Sequence, residues 1–325
     1  AEEKYLEALR IAGLVHGEGS ALVADVSTGL GTIYNRQERR DESMRMQKRA
    51  LRVYRRGDHH REVARVLVKL GELHFAKWEL DLAMAKFEEA RDICVRLSGE
   101  DNLGPEVVQV LQSIAKVMGA QGKYAEELAM LEKALGVTRR NLGSDEDIVA
   151  DLLSNIGEAM VRLGMWEDAL PYLEEGLGIV RRNHPERNVC EGRFLFAIGT
   201  IYGNLGRLED SLEFFKRAKR IYRKITGPQS CFMASVLTNI GATLNAQGKV
   251  EEAFENFEEG LAIHRRVEGK DHPNVADVLL RMAMCKEDAG DVEGAIVLLR
   301  EAQSIDRKRG AVGHAAEEVD YRLKR

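Results

Sequence analysis

Seven short segments of this chain, LGTIY, LGELH, IAKVM, IGEAM, IGTIY, IGATL and MAMCK, carry a small residue at the same point: Gly31, Gly71, Ala115, Gly157, Gly199, Gly241 and Ala283. Their separations are 40, 44, 42, 42, 42 and 42 residues. No other feature constrains the fold as strongly, because a fixed period makes each copy one supersecondary unit that must stack on its neighbours to bury its apolar face. Three further points repeat with it. Seven residues on, the last five copies have Gly122, Gly164, Gly206, Gly248 and Gly290, whereas the first two depart with Glu38 and Trp78. Five beyond that lie Ser43, Ala83, Glu127, Ala169, Ser211, Ala253 and Ala295; seven beyond those lie Ala50, Ala90, Ala134, Gly176, Ala218, Gly260 and Ala302.

A small residue in mid-helix lets a second helix cross closely, since a larger side chain would hold the two backbones apart. The glycine seven positions later ends that helix, because glycine enters the left-handed conformation of a C-terminal cap at little cost. The last two small residues share one face of the next helix and let it pack against both its partner and the following repeat. Each copy therefore reads as a helical hairpin. In VADLLSNIGEAMVRL, Val149, Leu152, Leu153, Ile156, Met160 and Leu163 follow helical spacing, with Asp151, Asn155, Glu158 and Arg162 on the opposite stripe. Prolines mark helix starts at Gly104-Pro105 and at Asp271 to Pro273.

The expected architecture is one all-α, right-handed superhelical solenoid over residues 1–325. Its repeats span about 19–58, 59–102, 103–145, 146–187, 188–229, 230–271 and 272–310. A lone helix at about 2–15 precedes them, and a further one at about 314–324 follows. Both ends lack a polar capping repeat, so the solenoid is expected to continue in a longer protein. Composition agrees: five prolines and 6% aromatic residues favour helices, and 44% hydrophobic content is enough for a core. The net charge of −5 offers no overall basic field for nucleic acid or an acidic membrane. No apolar run reaches the length of a membrane span. Cys94, Cys190, Cys231 and Cys285 are widely spaced without a CxxC, which reads as reduced thiols and a cytoplasmic location.

A period in the low forties also suits other helical arrays, and the small-residue pattern discriminates among them. LGTIY (Leu30 to Tyr34), IGTIY (Ile198 to Tyr202) and AFENF (Ala253 to Phe257) resemble the signature elements of the tetratricopeptide repeat. The longer copies, such as GKDHPNVADVLLRMA at Gly269 to Ala283 and GKYAEELAMLEKAL at Gly122 to Leu135, look like the 42-residue version found in kinesin light chains. That resemblance implies a protein-binding scaffold, holding an extended peptide or a helix along the face lined by the first helix of each hairpin. The rival expectation is an intramolecular regulatory arm of a larger signalling protein.

The stripe around each small residue supplies the candidate groove: Arg65, Lys69 and Glu72; Gln109, Ser113 and Lys116; Asp151, Asn155, Glu158 and Arg162; Arg193, Thr200 and Asn204; Ser235 and Asn239; and Asp277, Arg281 and Asp288. Asn155 and Asn239, in LSNIG and LTNIG, match the family's groove asparagine, whose amide can donate to and accept from one peptide unit. The arginines would select acidic side chains. A chaperone-type carboxylate clamp is not expected. Arg65 and Lys69 imitate one element of it, but Thr28 and Gly29 stand where a lysine and an asparagine are required.

No catalytic pattern is present: HExxH, G-x-S-x-G and GxxxxGK[ST] are all absent, and GLGTIY sits inside a helix. His59 and His60 lie between hairpins without further ligands and read as surface. Glu126 with Glu127, and Glu174 with Glu175, are expected on helix surfaces. Trp78 and Trp166 fall at hairpin turns, where packing between repeats is expected. The chain reads as a non-enzyme with no cofactor and no metal.

Overall fold

The computed structural model describes residues 1–98, 105–186, 188–309 and 321–322, and these are helical throughout apart from short connections. They form two compact units. Unit 1, residues 1–163, contains α1 (Glu2–His16), α2 (Ala21–Arg36), α3 (Arg40–Arg56), α4 (His60–Ala76), α5 (Leu80–Ser98), α6 (Pro105–Ala120), α7 (Tyr124–Leu142) and α8 (Asp147–Arg162). Unit 2, residues 164–325, contains α9 (Trp166–Asn183), α10 (Val189–Asn204), α11 (Leu208–Ile225), α12 (Cys231–Ala246), α13 (Val250–Val267), α14 (Pro273–Asp288) and α15 (Val292–Arg309). Within each unit, helices pack mainly on their neighbours in the chain, the closest pairs being α2/α3, α4/α5 and α6/α7 in one and α10/α11, α12/α13 and α14/α15 in the other. The helix expected at about 314–324 lies outside the described residues except for Tyr321 and Arg322, which are helical.

The repeating small residues sit where helices cross. A Cβ placed on Gly71 would come 2.5 Å from the Phe87 ring, and one on Gly241 would come 2.9 Å from Phe257 and 3.0 Å from the carbonyl oxygen of Ala253. Ala115 and Ala283 are buried in the same place. The residue that meets the crossing lies sixteen positions further on, and it is buried in every repeat: Gln47, Phe87, Leu131, Leu173, Phe215, Phe257 and Leu299. Serine replaces alanine at the next small position without cost to hydrogen bonding. Ser43 Oγ donates to Gly31 O at 2.7 Å, and Ser211 Oγ donates to Gly199 O at 2.8 Å.

Hairpin turns share one geometry. Gly122, Gly206, Gly248 and Gly290 have φ of 77°, 73°, 76° and 79°. The following amide closes each turn on the carbonyl five residues back, as from Lys123 N to Met118 O at 2.9 Å, which satisfies an otherwise orphaned helix-end acceptor. Glu38 and Trp78 adopt the same conformation, with φ of 60° and 63°, and the same closing bonds run from Arg39 N to Tyr34 O and from Glu79 N to His74 O. The departures read from the sequence are thus departures in residue type alone.

Two expectations need correction. Trp78 does not pack between repeats: it is 69% exposed and touches only the Phe75 ring among the aromatic residues, with centroids 6.3 Å apart. A side chain at a left-handed turn position projects away from both helices of the hairpin. Glu127 is not on the surface but buried. Gly119 makes room for its carboxylate, which a Cβ there would meet at 2.7 Å, and Arg162 neutralises it at 2.6 Å.

Candidate functional site

In α4 the apolar residues Val63, Val66, Leu67, Leu70 and Leu73 are buried in the core. The helical period therefore turns Arg61, Arg65, Lys69 and Glu72, spaced by three or four, to the open side. The same argument turns Gln109, Ser113 and Lys116 outward from α6, whose Val107, Val108, Val110, Leu111 and Ile114 are buried. Between the two helices lies a cleft of 290 Å³ with Arg61, Arg65, Lys69, Glu72 and Gln109 among its lining. Ala64, Val68 and Val110 add apolar surface, and α5 contributes Cys94 and Leu97. Arg61, Cys94 and Leu97 are absent from the sequence-derived stripe. Arg61 was within reach of it, one turn before Arg65; the α5 residues were not, because their part in the cleft depends on the packing of a third helix.

Electrostatics in this cleft are strained in both senses. Burial, with the Arg65 guanidinium beside it, holds Lys69 below the ordinary lysine range, and Glu72 offsets this only partly. Although Glu72 as a residue is exposed, the cleft walls partly desolvate its carboxyl and push it above its usual range against the pull of Lys69 and Lys116. Lys69 Nζ donates to Thr32 Oγ1 of α2 at 3.1 Å. Lys69, Glu72 and Lys116 are thus brought together with Thr32 and Arg65. Ser113 Oγ is spent on its own helix, donating to Gln109 O at 3.0 Å. Asp151 is exposed and Asn155 half-buried on α8, while Arg162 of the same helix turns away to α7 and Glu127.

Unit 2 presents its own stripe. Arg193 is half-buried and Asn204 exposed on α10. On α12, Asn239 Nδ2 donates to Ser235 O at 2.9 Å, leaving its second N–H and its oxygen for other partners. Arg281 of α14 is bound to Asp277 of the same helix at 2.9 Å. Asn245 Nδ2 donates to Asp288 Oδ2 at 2.7 Å and ties α12 to α14 along this stripe, a link across helices that spacing within one helix does not reveal.

Among the described residues no group of three or more His, Cys, Asp or Glu side chains could hold a metal ion, and no helix is long and apolar enough to cross a membrane. Burial raises the thiols of Cys94 and Cys285 above the ordinary range, which opposes nucleophilic use.

Comparison with curated proteins gives no significant relative. Among solved structures, BtubC (BKLC) from P. vanneervenii is similar with a TM-score of 0.58 and 20% identity, over 72% of this chain and 94% of that one. Nearly identical TPR-like repeats of a Podosopora anserina protein named for the kinesin light chain match with a TM-score of 0.50 and 18% identity, over 63% and 97%. A Rap protein complexed with competence and sporulation factor matches with a TM-score of 0.63 and 16% identity, over 98% and 86%. At these identities the likeness speaks for the fold. Two tetratricopeptide repeat models match the sequence itself, one at residues 62–140, 106–182 and 232–308 and the other at 23–57 and 197–230. With these matches covering most of its length and the helical-hairpin fold in agreement, the chain belongs to the tetratricopeptide repeat family.

Proposed function

We propose that the protein is a non-catalytic interaction scaffold, an adaptor module of kinesin-light-chain type, whose first helices hold a peptide segment or helix of a partner protein. The cleft between α4 and α6 carries this reading. It sets Arg61, Arg65 and Lys69 beside Ala64, Val68, Val110 and Leu97 in an open cavity of 290 Å³. A carboxylate-bearing segment with an aliphatic neighbour satisfies both halves of that lining. Its charge would relieve the mutual repulsion of Arg65 and Lys69, and its apolar group would cover surface that otherwise faces water. In unit 1, Asn155 would hold a segment's backbone, with Ser113, Lys116 and Asp151 selecting side chains; in unit 2, Asn204 and Asn239 would hold a backbone in the same way, with Arg193 and Arg281 selecting side chains. The Rap protein of similar fold that is complexed with competence and sporulation factor supports the reading by analogy.

The test is a random peptide display screen against the purified protein, repeated on Arg65→Ala/Lys69→Ala and on Asn155→Ala/Arg193→Ala/Asn239→Ala. The expected outcome is an enriched motif pairing acidic and aliphatic residues. The Arg65/Lys69 variant should bind it at least about tenfold more weakly, the scale of losing one charge-assisted hydrogen bond. No enrichment, or a motif that both variants retain, would reject the groove.

A further inference from the structure

The net charge of −5 conceals a local concentration of the opposite sign. The second half of α11 carries Lys216, Arg217, Lys219, Arg220, Arg223 and Lys224, with no acidic residue from Phe214 to Ile225. Arg223 and Lys224 have an ordinary explanation. They complement the negative end of the helix dipole, and α9 and α13 have Arg181, Arg182, Arg265 and Arg266 at the same repeat positions. The other four do not. One period away, Lys216 and Arg217 correspond to Glu174 and Glu175 of α9 and to Glu258 and Glu259 of α13. Lys219 and Arg220 correspond to Leu177 and Gly178, and to Leu261 and Ala262. Acidic or apolar residues stand at these sites in the two neighbouring repeats, whereas α3 carries Lys48, Arg49 and Arg52 there, with Arg49 bound to Glu18 outside its own helix; among the described residues the cations of α11 are set apart by having no acidic partner outside theirs.

Lys216 and Arg220 are exposed, and Arg217 and Lys219 half-buried. Among the described residues, Lys216, Lys219 and Arg220 make no hydrogen bond or ion pair, and Arg217 has Glu213 of its own helix at 3.7 Å and lies over the Phe214 ring at 5.3 Å. Two clefts adjoin the stripe, both lined by Arg217. One, of 250 Å³ between α9 and α11, has Leu177, Ile198 and Phe214 in its walls. The other, of 130 Å³, has Leu195 and Ile221 beside Arg220.

We propose that this face of α11 is a second docking site, distinct from the stripe of first helices, for a short acidic segment of a partner protein that carries aliphatic side chains. The span from Lys216 to Arg220 is about 6 Å of helix, about two residues of extended chain. Charge complementarity also sets the width of the occupant. The exposed carboxylates of Glu174 and Glu175 on α9 and of Glu258 and Glu259 on α13 occupy the equivalent positions one repeat to either side. A broad polyanion, such as a lipid surface or a nucleic acid, would meet those carboxylates. A narrow acidic segment meets only Glu174, which lines the larger cleft beside Arg181 and Arg217, and Glu191, which is already bound to Arg181, while Leu177, Ile198, Phe214, Leu195 and Ile221 give its aliphatic side chains a place that phosphate polymers cannot use.

Fluorescence anisotropy of a short labelled peptide of alternating Glu and Leu, added to the full chain, tests the proposal. Lys216→Glu/Arg217→Glu/Arg220→Glu places the acidic pair of the neighbouring repeats at the first two positions and reverses the charge at the third, and should weaken binding at least about tenfold, by repulsion in place of attraction. The Gln counterparts at the same three positions should give an intermediate loss, and they supply the reading if the Glu variant fails to fold. The two sites are separated by repeating the α11 substitutions in an Arg65→Ala/Lys69→Ala background, where they should still weaken binding at least about tenfold. Unchanged affinity in the Gln and Glu variants would overturn the proposal. So would α11 substitutions that have no effect in the Arg65→Ala/Lys69→Ala background, which would assign the peptide to the first helices alone. Tighter binding of phosphatidylserine vesicles or single-stranded DNA than of the peptide, abolished by the same triple variants, would overturn it in favour of a broad polyanion.

Discussion

Trp78 holds φ of 63° where the last five repeats hold glycine at the same position with φ between 73° and 79°. For a residue with a Cβ this conformation costs about 1–2 kcal/mol, and the contact with Phe75 recovers part of it. Trp78→Gly is therefore expected to be more stable than Trp78→Ala by about 1 kcal/mol, the reverse of the order inside a helix. Paired denaturant titrations of the two variants check it, and Ala equal to or above Gly would contradict the turn geometry. The residue type at this point hid the left-handed turn from the sequence pattern, because the turn is enforced by its closing hydrogen bonds and by the packing of the hairpin, not by local preference. Glu72 is a second case in which surroundings decide. Its carboxyl is raised by partial desolvation, so the folded state binds that proton more tightly than the unfolded chain does, and folding is penalised above the raised pKa. Glu72→Gln should stabilise the protein at pH 7, with the advantage fading as pH falls through that pKa towards the ordinary carboxylate range. Melting curves at neutral and acidic pH, showing a gain that persists in acid, would contradict this.

At the level of the helix, the crossing at Gly241 is the sharpest constraint in unit 2. The nearest atoms include a backbone oxygen, Ala253 O, which no side-chain rotation can move. Gly241→Leu gains about 1 kcal/mol of helix propensity, yet overpacking costs about 1–3 kcal/mol or more, so a net loss is expected. Thermal melting measures it; an unchanged or raised midpoint would refute the crossing. Helix positions were legible because apolar spacing and small-residue recurrence are local signals. Prolines opened α6 and α14 as read, at Pro105 and Pro273. By contrast, Pro171 lies inside α9, where it removes one backbone hydrogen bond. The helix continues through it with Ala169, Leu173, Gly176 and Leu177 buried on the packed face: tertiary burial outweighs a local breaker.

On the scale of the molecule, helices contact chiefly their sequence neighbours, so a defect is expected to stay near its origin. In Gly241→Leu, hydrogen exchange should rise in α12 and in α11 and α13 beside it, while α2 to α5 keep their protection. Loss of protection in α2 to α5 would show longer-range cooperativity. Charge behaves in the same local way, since an acidic total coexists with the basic half of α11. The sequence alone determined the helical hairpins, their period, the small residues at the crossings and the outward stripe bearing Arg65, Lys69, Asn155 and Asn239, because each depends on periodicities that a linear chain displays. Only the tertiary structure decided that Cys94 and Leu97 line the α4/α6 cleft, that Glu127 is buried against Arg162, and that Asn245 ties α12 to α14. Each of these joins residues from different helices, and which side chains meet there is set by how the helices pack.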